Sequence, residues 1–252
     1  MKAFSKDQLQ VRVFETRAEL GAASGADFAA TVRELLKEKD HIRVVFAAAP
    51  SQNDFLKAIT EDPSIDFSRI DAFHMDEYVG LDHRAPQAFG QFLRNRLFDR
   101  RDFHSVSFIN GESGDPERAC REYADLLSQA PIDIVCMGIG ENGHIAFNDP
   151  HEAKFNDGAD VKIVNLDEVC RMQQVHDGCF ASLADVPQQA VTLTVPRLMR
   201  AGCHLCIVPA PTKAAAVKRM LDGDISEECP CTILRRAENA VLYLDRDSSA
   251  LL

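Results

Sequence analysis

Residues 132–150 read IDIVCM-GIGENGHIAFNDP, an apolar run running into a glycine-rich turn. Gly138, Gly140 and Gly143 spell G-x-G-x-x-G, the spacing of a dinucleotide-binding turn. That fingerprint needs the third glycine to open a helix, with an acidic residue about twenty positions later. The strand before Gly138 fits. The residues after Gly143 do not: His144-Ile145-Ala146-Phe147-Asn148-Asp149-Pro150 ends in turn chemistry, and proline disfavours a helix through the segment. A nicotinamide or flavin cofactor is therefore not expected. The glycines have another use: they let backbone pass close to a ligand and set His144 at the rim of a sheet.

Outward from this turn, apolar runs alternate with amphipathic ones. Strand patterns are predicted at 41–48, 69–75, 105–109, 132–137, 161–164, 191–193, 204–208 and 240–244. Helical patterns are predicted at 17–37, 54–60, 88–98, 116–128 and 213–221. Such alternation argues an α/β fold: one open, mostly parallel sheet with helices on both faces. No repeat, low-complexity tract or linker interrupts the 252 residues, so one domain over 1–252 is expected. In open α/β sheets ligands bind beyond the carboxyl ends of the strands. Four predicted strand ends carry suggestive residues: AAAPSQND (47–54), MDEYVGL (75–81), the glycine turn, and PAPTK (209–213).

Composition narrows the classes. Lys and Arg total 28 against 39 Asp and Glu, a formal net charge of −11. This balance offers no broad basic surface, so nucleic acid is not an expected partner. An anionic small molecule would need a local cluster of donors instead. No signal peptide opens the chain and no apolar run is long enough to span a membrane, so a cytoplasmic location is expected. The eight cysteines are then expected as buried thiols. Cys203 and Cys206 with Cys229 and Cys231 could be read as a zinc site, but CHLC lies in a strand-like run rather than a knuckle, and no metal is expected. The sequence distinguishes no oligomeric interface.

Several groups can carry chemistry. His144, near Asn142 and Asp149, suits proton transfer at neutral pH, and a neighbouring carboxylate would fix its tautomer. Asp76 and Glu77 end a strand; successive side chains point to opposite faces, so one carboxylate faces a site and the other faces structure. A partly desolvated carboxylate there is a general base. Ser51, with Asp54 three residues on, resembles a capping box at a helix N-terminus that could also receive a phosphate. Lys213 at the start of a helix opposes the macrodipole, a placement that makes sense if it holds an anion.

MDEYVGL (75–81) and GENGHIAFNDP (140–150), in this order, resemble the glucosamine-6-phosphate deaminase (isomerase) family, itself related to 6-phosphogluconolactonases. The resemblance runs from the strand at His41 to the end. It implies aldose–ketose isomerisation with loss of the amine, giving fructose 6-phosphate and ammonia from glucosamine 6-phosphate without metal or organic cofactor. It also implies roles: His144 opening the sugar ring, Asp76 moving a proton between C2 and C1, and Asn142 and Asp149 orienting His144. Ser51, Gly140, Gln174 and Lys213 would bind substrate. Three departures stand out. Asn142 and Asp149 replace the Asp and Glu common in the family. Ala47-Ala48-Ala49-Pro50-Ser51 replaces a Gly-Gly-Thr cradle. Gln173 and Gln174, beside Arg171, fall where many members have a phosphate-binding arginine. These leave lactone hydrolysis, a different amino sugar phosphate, and a non-catalytic sugar-phosphate sensor as alternatives.

Overall fold

The computed structural model describes residues 2–252. Its chain order is β1 (Lys2–Lys6), β2 (Leu9–Val13), α1 (Arg17–Leu35), β3 (Ile42–Phe46), α2 (Asn53–Glu61), β4 (Ile70–His74), β5 (Asp76–Tyr78), α3 (Phe89–Arg96) and β6 (Ser105–Ser107). Then come α4 (Pro116–Ser128), β7 (Ile134–Met137), β8 (Val161–Asn165), α5 (Glu168–His176), β9 (Gln189–Leu193), α6 (Val195–Met199), β10 (Cys203–Val208), α7 (Ala214–Asp222) and β11 (Ala240–Leu244).

Eight strands form one sheet in the order β1-β2-β11-β10-β7-β3-β4-β6. Only the β1–β2 pair is antiparallel, so the sheet is mostly parallel as the alternation implies. Strand pleating divides the core in two. In β3, Ile42, Val44 and Phe46 join α1, α2 and α3 on one face, while Val45 joins α4 and α7 on the other. Both faces are thus covered by helices, which is why the central strands are largely apolar. The polar residues among them include Asp71 and His74 in β4, His204 in β10 and, in β3, Arg43. The Arg43 guanidinium donates to the carbonyls of Leu126, Leu127 and Ala130 at the C-terminal end of α4 and stacks 4.7 Å from the Phe73 ring centre.

The chain runs outward from β3 through β4 to β6, then returns to the other side of β3 with β7 and continues to β10 and β11. The order reverses between β3 and β7. The crevice at their carboxyl ends is the position at which open α/β sheets bind ligands. It lies between Ala47–Ser51 and the Gly138–His144 turn.

The strands at 161–164 and 191–193 exist, but not in that sheet. β8 and β9 pair antiparallel with each other, and β9 pairs antiparallel with β5, in a separate three-stranded sheet. This sheet positions the site. Leu193 N–H donates to Met75 O (2.9 Å), Phe147 N–H to Thr192 Oγ1 (3.0 Å), and Asn148 Nδ2 to Leu193 O (2.8 Å). One strand, β9, therefore fixes both the Asp76 segment and the loop after His144.

Candidate active site

The crevice is a cleft of about 480 Å³, open to solvent at its mouth. Asp76, His144, Ser51, Gln174 and Lys213 all line it, with Gln52, Gln173 and Phe147. Five of the eight residues singled out in the sequence thus meet in one place. Asn142 and Asp149 stand behind His144, and Gly140 lies beneath its ring.

The glycine turn has steric reasons for its composition. A Cβ on Gly140 would meet the His144 ring at 2.2–2.4 Å, so only glycine lets the imidazole lie against this backbone. Gly143 adopts φ +91°, a left-handed conformation, and a Cβ there would also meet Cys229 Sγ at 2.7 Å. Gly140 N–H donates to His144 O (2.9 Å), closing the loop on itself. Two non-glycine residues also carry positive φ beside the cleft: Ala146 (47°) after His144, and Ala210 (85°) ahead of Lys213. Ala210 N–H is held by the Asp245 carboxylate at 3.1 Å. Strain of this kind persists only where surrounding contacts fix it.

Behind His144 is a polar network. His144 Nδ1 lies 3.0 Å from Asp149 Oδ1, close but poorly aligned for a hydrogen bond, so the contact is chiefly electrostatic. Asn142 Nδ2 donates to Asp149 Oδ1 (2.9 Å) and to Asp167 Oδ2 (2.9 Å), and Asn142 Oδ1 accepts from His144 N–H (3.0 Å). Asp167 N–H donates to Asp149 Oδ2 (3.1 Å). Asp149 has no solvent exposure. Burial pushes its carboxyl up, but His144, Asn142 and the Asp167 N–H together outweigh that and hold it below the ordinary range. His144, Asp149 and Cys170 place ligand atoms within 4.8 Å of one another. The Asp149 oxygens are already occupied by the Asn142 and Asp167 donors, and burial raises the Cys170 thiol well above its usual range, so the arrangement suits a carboxylate held in place behind His144.

Asp76 is the opposite case. Burial, then the neighbouring Glu77, raises its carboxyl well above the ordinary range, and no side chain or N–H among the described residues bonds to it. Glu77 points the other way, as strand alternation requires. Its carboxylate accepts from Tyr78 N–H (3.0 Å), Phe89 N–H (3.1 Å) and Gly90 N–H (2.9 Å), fixing the start of α3. Burial still raises it, against those three donors.

At the far side, Lys213 is only 5% exposed and forms no ion pair among the described residues. Burial lowers its pKa despite Asp177 and Glu141 nearby. Ser51 corrects the capping-box expectation. It sits in a 3₁₀ turn, Pro50–Gln52, and makes no cap bond, while Asp54 is taken by Arg17. Ser51 Oγ instead accepts from Gln52 Nε2 (3.1 Å), which leaves its own O–H free for the cleft. Gln52, which no sequence pattern singles out, is buried, and its Oε1 has no partner among the described residues. Gln173 Oε1 accepts from Glu141 N–H (2.9 Å), and Gln174 lines the cleft beside it. Arg171 turns away, donating to Leu183 O (2.7 Å) and Val186 O (2.8 Å).

The four cysteines of the zinc reading do not converge. Cys203 and Cys206 pack into opposite faces of the sheet, and Cys229 pairs with Cys231 at 3.6 Å. No helix among the described residues is long and apolar enough to cross a membrane.

Residues 15–243 match the family model described as glucosamine-6-phosphate isomerases/6-phosphogluconolactonase. A glucosamine-6-phosphate deaminase of Bacillus cereus (strain B4264) is 32% identical over 243 residues, covering 96% of this chain and 89% of that protein. A solved monomeric glucosamine-6-phosphate deaminase superposes with a TM-score of 0.88 at 27% identity, covering 96% of this chain and 99% of that one. A 6-phosphogluconolactonase from Thermotoga maritima shares the fold at a TM-score of 0.77 and 19% identity, covering 94% of this chain and 99% of that one. The sheet order, the cleft at its reversal and these likenesses place the chain in the glucosamine-6-phosphate isomerase/6-phosphogluconolactonase family.

Proposed function

We propose that this chain isomerises and deaminates glucosamine 6-phosphate, giving fructose 6-phosphate and ammonia. The observation that carries the reading is the pairing of Asp76 and His144 in one cleft: a carboxylate without hydrogen-bond partners and an imidazole backed by a buried carboxylate. His144 moves the proton that opens the pyranose ring to the aldehyde. Asp76 then takes the C2 proton, which leaves an enolamine, and returns a proton to C1. The resulting C2 imine adds one water and expels ammonia, leaving the ketone. Carbon acid chemistry falls to the carboxylate and oxygen chemistry to the imidazole.

A raised carboxyl must lose its proton before it can act as a base. The ammonium of the bound amino sugar supplies the positive charge that favours this, in a site where water does not screen it. The phosphate is assigned to Lys213, the Ser51 hydroxyl and the Gln174 amide. The alanines at 47–49 restrict backbone approach where glycine would not, so these side chains carry more of the binding. Asn142 and Asp149 hold His144, and Gly140 gives its ring room.

The test is to incubate the protein with glucosamine 6-phosphate and measure ammonia and fructose 6-phosphate together, with 6-phosphogluconolactone in parallel. Equal release of both products is expected. Hydrolysis of the lactone alone would replace this reading with a lactonase, for which Asp76 has no carbon proton to remove. Turnover of neither would leave a different amino sugar phosphate as substrate, or the sugar-phosphate sensor.

A further inference from the structure

The Asn142 side chain bonds to three partners: His144, which lines the cleft, and Asp149 and Asp167, which stand behind it. The amide nitrogen has two hydrogens. One goes to Asp149 Oδ1 and the other to Asp167 Oδ2, each at 2.9 Å. Its oxygen accepts His144 N–H at 3.0 Å. All its hydrogen-bonding directions but one lone pair are in use. Asp167 is equally committed. Its Oδ1 caps α5 by accepting from Cys170 N–H (2.6 Å), its Oδ2 accepts from Asn142, and its own N–H donates to Asp149 Oδ2 (3.1 Å).

Resting on the proposed function, we infer that Asp167 is a positioning residue of the His144 relay, acting through Asn142. An aspartate at 142 would place a third carboxylate between two others and could donate to neither. An asparagine bridges them and leaves Asp149 ionised, facing His144. Asp167 adds a second carboxylate to the nitrogen side of that amide: the nitrogen, facing Asp149 and Asp167, is held by both of its hydrogens, and the oxygen faces His144 N–H. The amide orientation in turn fixes the Asp149 oxygen beside Nδ1. The same residue starts α5, the helix that brings Gln173 and Gln174 to the cleft. Asp167 therefore ties the proton relay to the segment assigned to the phosphate.

The test is a double-mutant cycle of Asp167→Ser and Asn142→Ala. Serine keeps the helix cap but cannot offer Asn142 a carboxylate. Asp167→Ser is expected to lower kcat about tenfold with KM for glucosamine 6-phosphate within about twofold. The double variant is expected to be no slower than Asn142→Ala, because the aspartate acts only through the amide. A wild-type kcat in Asp167→Ser, or losses that multiply in the double variant, would overturn the inference. Asp167→Asn, which keeps shape and cap, supplies the same comparison if the serine variant does not fold. A readout free of turnover separates this from the function itself. Ring ¹⁵N shifts of neutral His144 should report one tautomer, with Nδ1 protonated toward Asp149, in the wild type, and a mixture in Asp167→Ser. An unchanged tautomer would contradict the inference, whether or not glucosamine 6-phosphate is the substrate.

Discussion

Asp76 and Asp149 are both buried aspartates serving one cleft, and their surroundings are opposite. Asp149 accepts from Asn142 and from Asp167 N–H and faces His144. Asp76 has the cleft on one side and Glu77 beside it in the chain, with no donor among the described residues. The result is two carboxyls pushed apart from a common starting value, one down and one up. The difference separates a group that holds from a group that reacts. A fully bonded carboxylate is rigid and weakly basic, suited to orienting an imidazole. A bare, desolvated one is basic enough to take a proton from carbon.

Replacing each aspartate by asparagine should break the comparison most sharply. Asp76→Asn is expected to lower kcat about 10³-fold, the scale of a lost general base, while leaving thermal stability equal or higher. Asp149→Asn is expected to cost about 3 kcal/mol in urea unfolding at neutral pH, because an amide N–H would then oppose the Asn142 or Asp167 donors in a site without water. If Asp76→Asn proved as destabilising as Asp149→Asn, the two sites would not differ as described.

The pH dependence of stability sharpens the same contrast. The Asp149 carboxyl is lowered on folding, so its stabilisation is full above the ordinary value of about 4 and is lost as pH falls through the folded value. The Asp76 carboxyl is raised, so its cost is absent below about 4 and grows as pH rises toward the folded value. The deficit of Asp149→Asn should therefore shrink on acidification, whereas any gain of Asp76→Asn should appear on raising the pH. Urea titrations of both variants and the wild type at several pH values give this directly.

Two smaller effects concern the ring and the anion. Gly140→Ala should push the His144 ring aside and lower kcat about 30-fold with little change in KM, since displacements near 1 Å cost about 10²-fold. Lys213→Met should raise KM about tenfold for the phosphorylated sugar, and thermal stability should not fall, because a buried cation without an ion pair is removed. An unchanged KM would move the phosphate away from Lys213.

Much of the fold is legible in the sequence. The helix predicted over 116–128 is α4 to the residue, and β3, β4, β7, β10 and β11 announce themselves because strands covered on both faces are apolar. The β1–β2 hairpin gives no such signal: KAFSK and LQVRV lie at the sheet's edge, where β1 is largely exposed and carries no apolar run. Helix α5 is hidden as well. EVCRMQQVH has a weak apolar stripe, and its start is set by the Asp167 cap. Pairing is harder still. That β9 joins β5, more than a hundred residues earlier, is set by tertiary packing rather than by local pattern.

The site divides in the same way. Asp76, His144 and Lys213 come after apolar runs, where strand ends can be found by eye. Glu77 facing away from Asp76 is a consequence of alternation alone. Asp167 reads locally as a helix cap, and its tie to the site is hidden because its partner Asn142 is 25 residues away. The Ser51–Asp54 capping box fails for a similar reason: Arg17, 37 residues from Asp54, claims its carboxylate.

The most direct measurement is a ¹³C NMR titration of the aspartate carboxyls, with Asp76→Asn and Asp149→Asn used to assign the two resonances. One carboxyl titrating above the ordinary aspartate range and lost in Asp76→Asn, and one titrating below it and lost in Asp149→Asn, is the expected result. Both titrating together near the ordinary value, or in the reverse order, would contradict the assignment of Asp76 as base and Asp149 as holder.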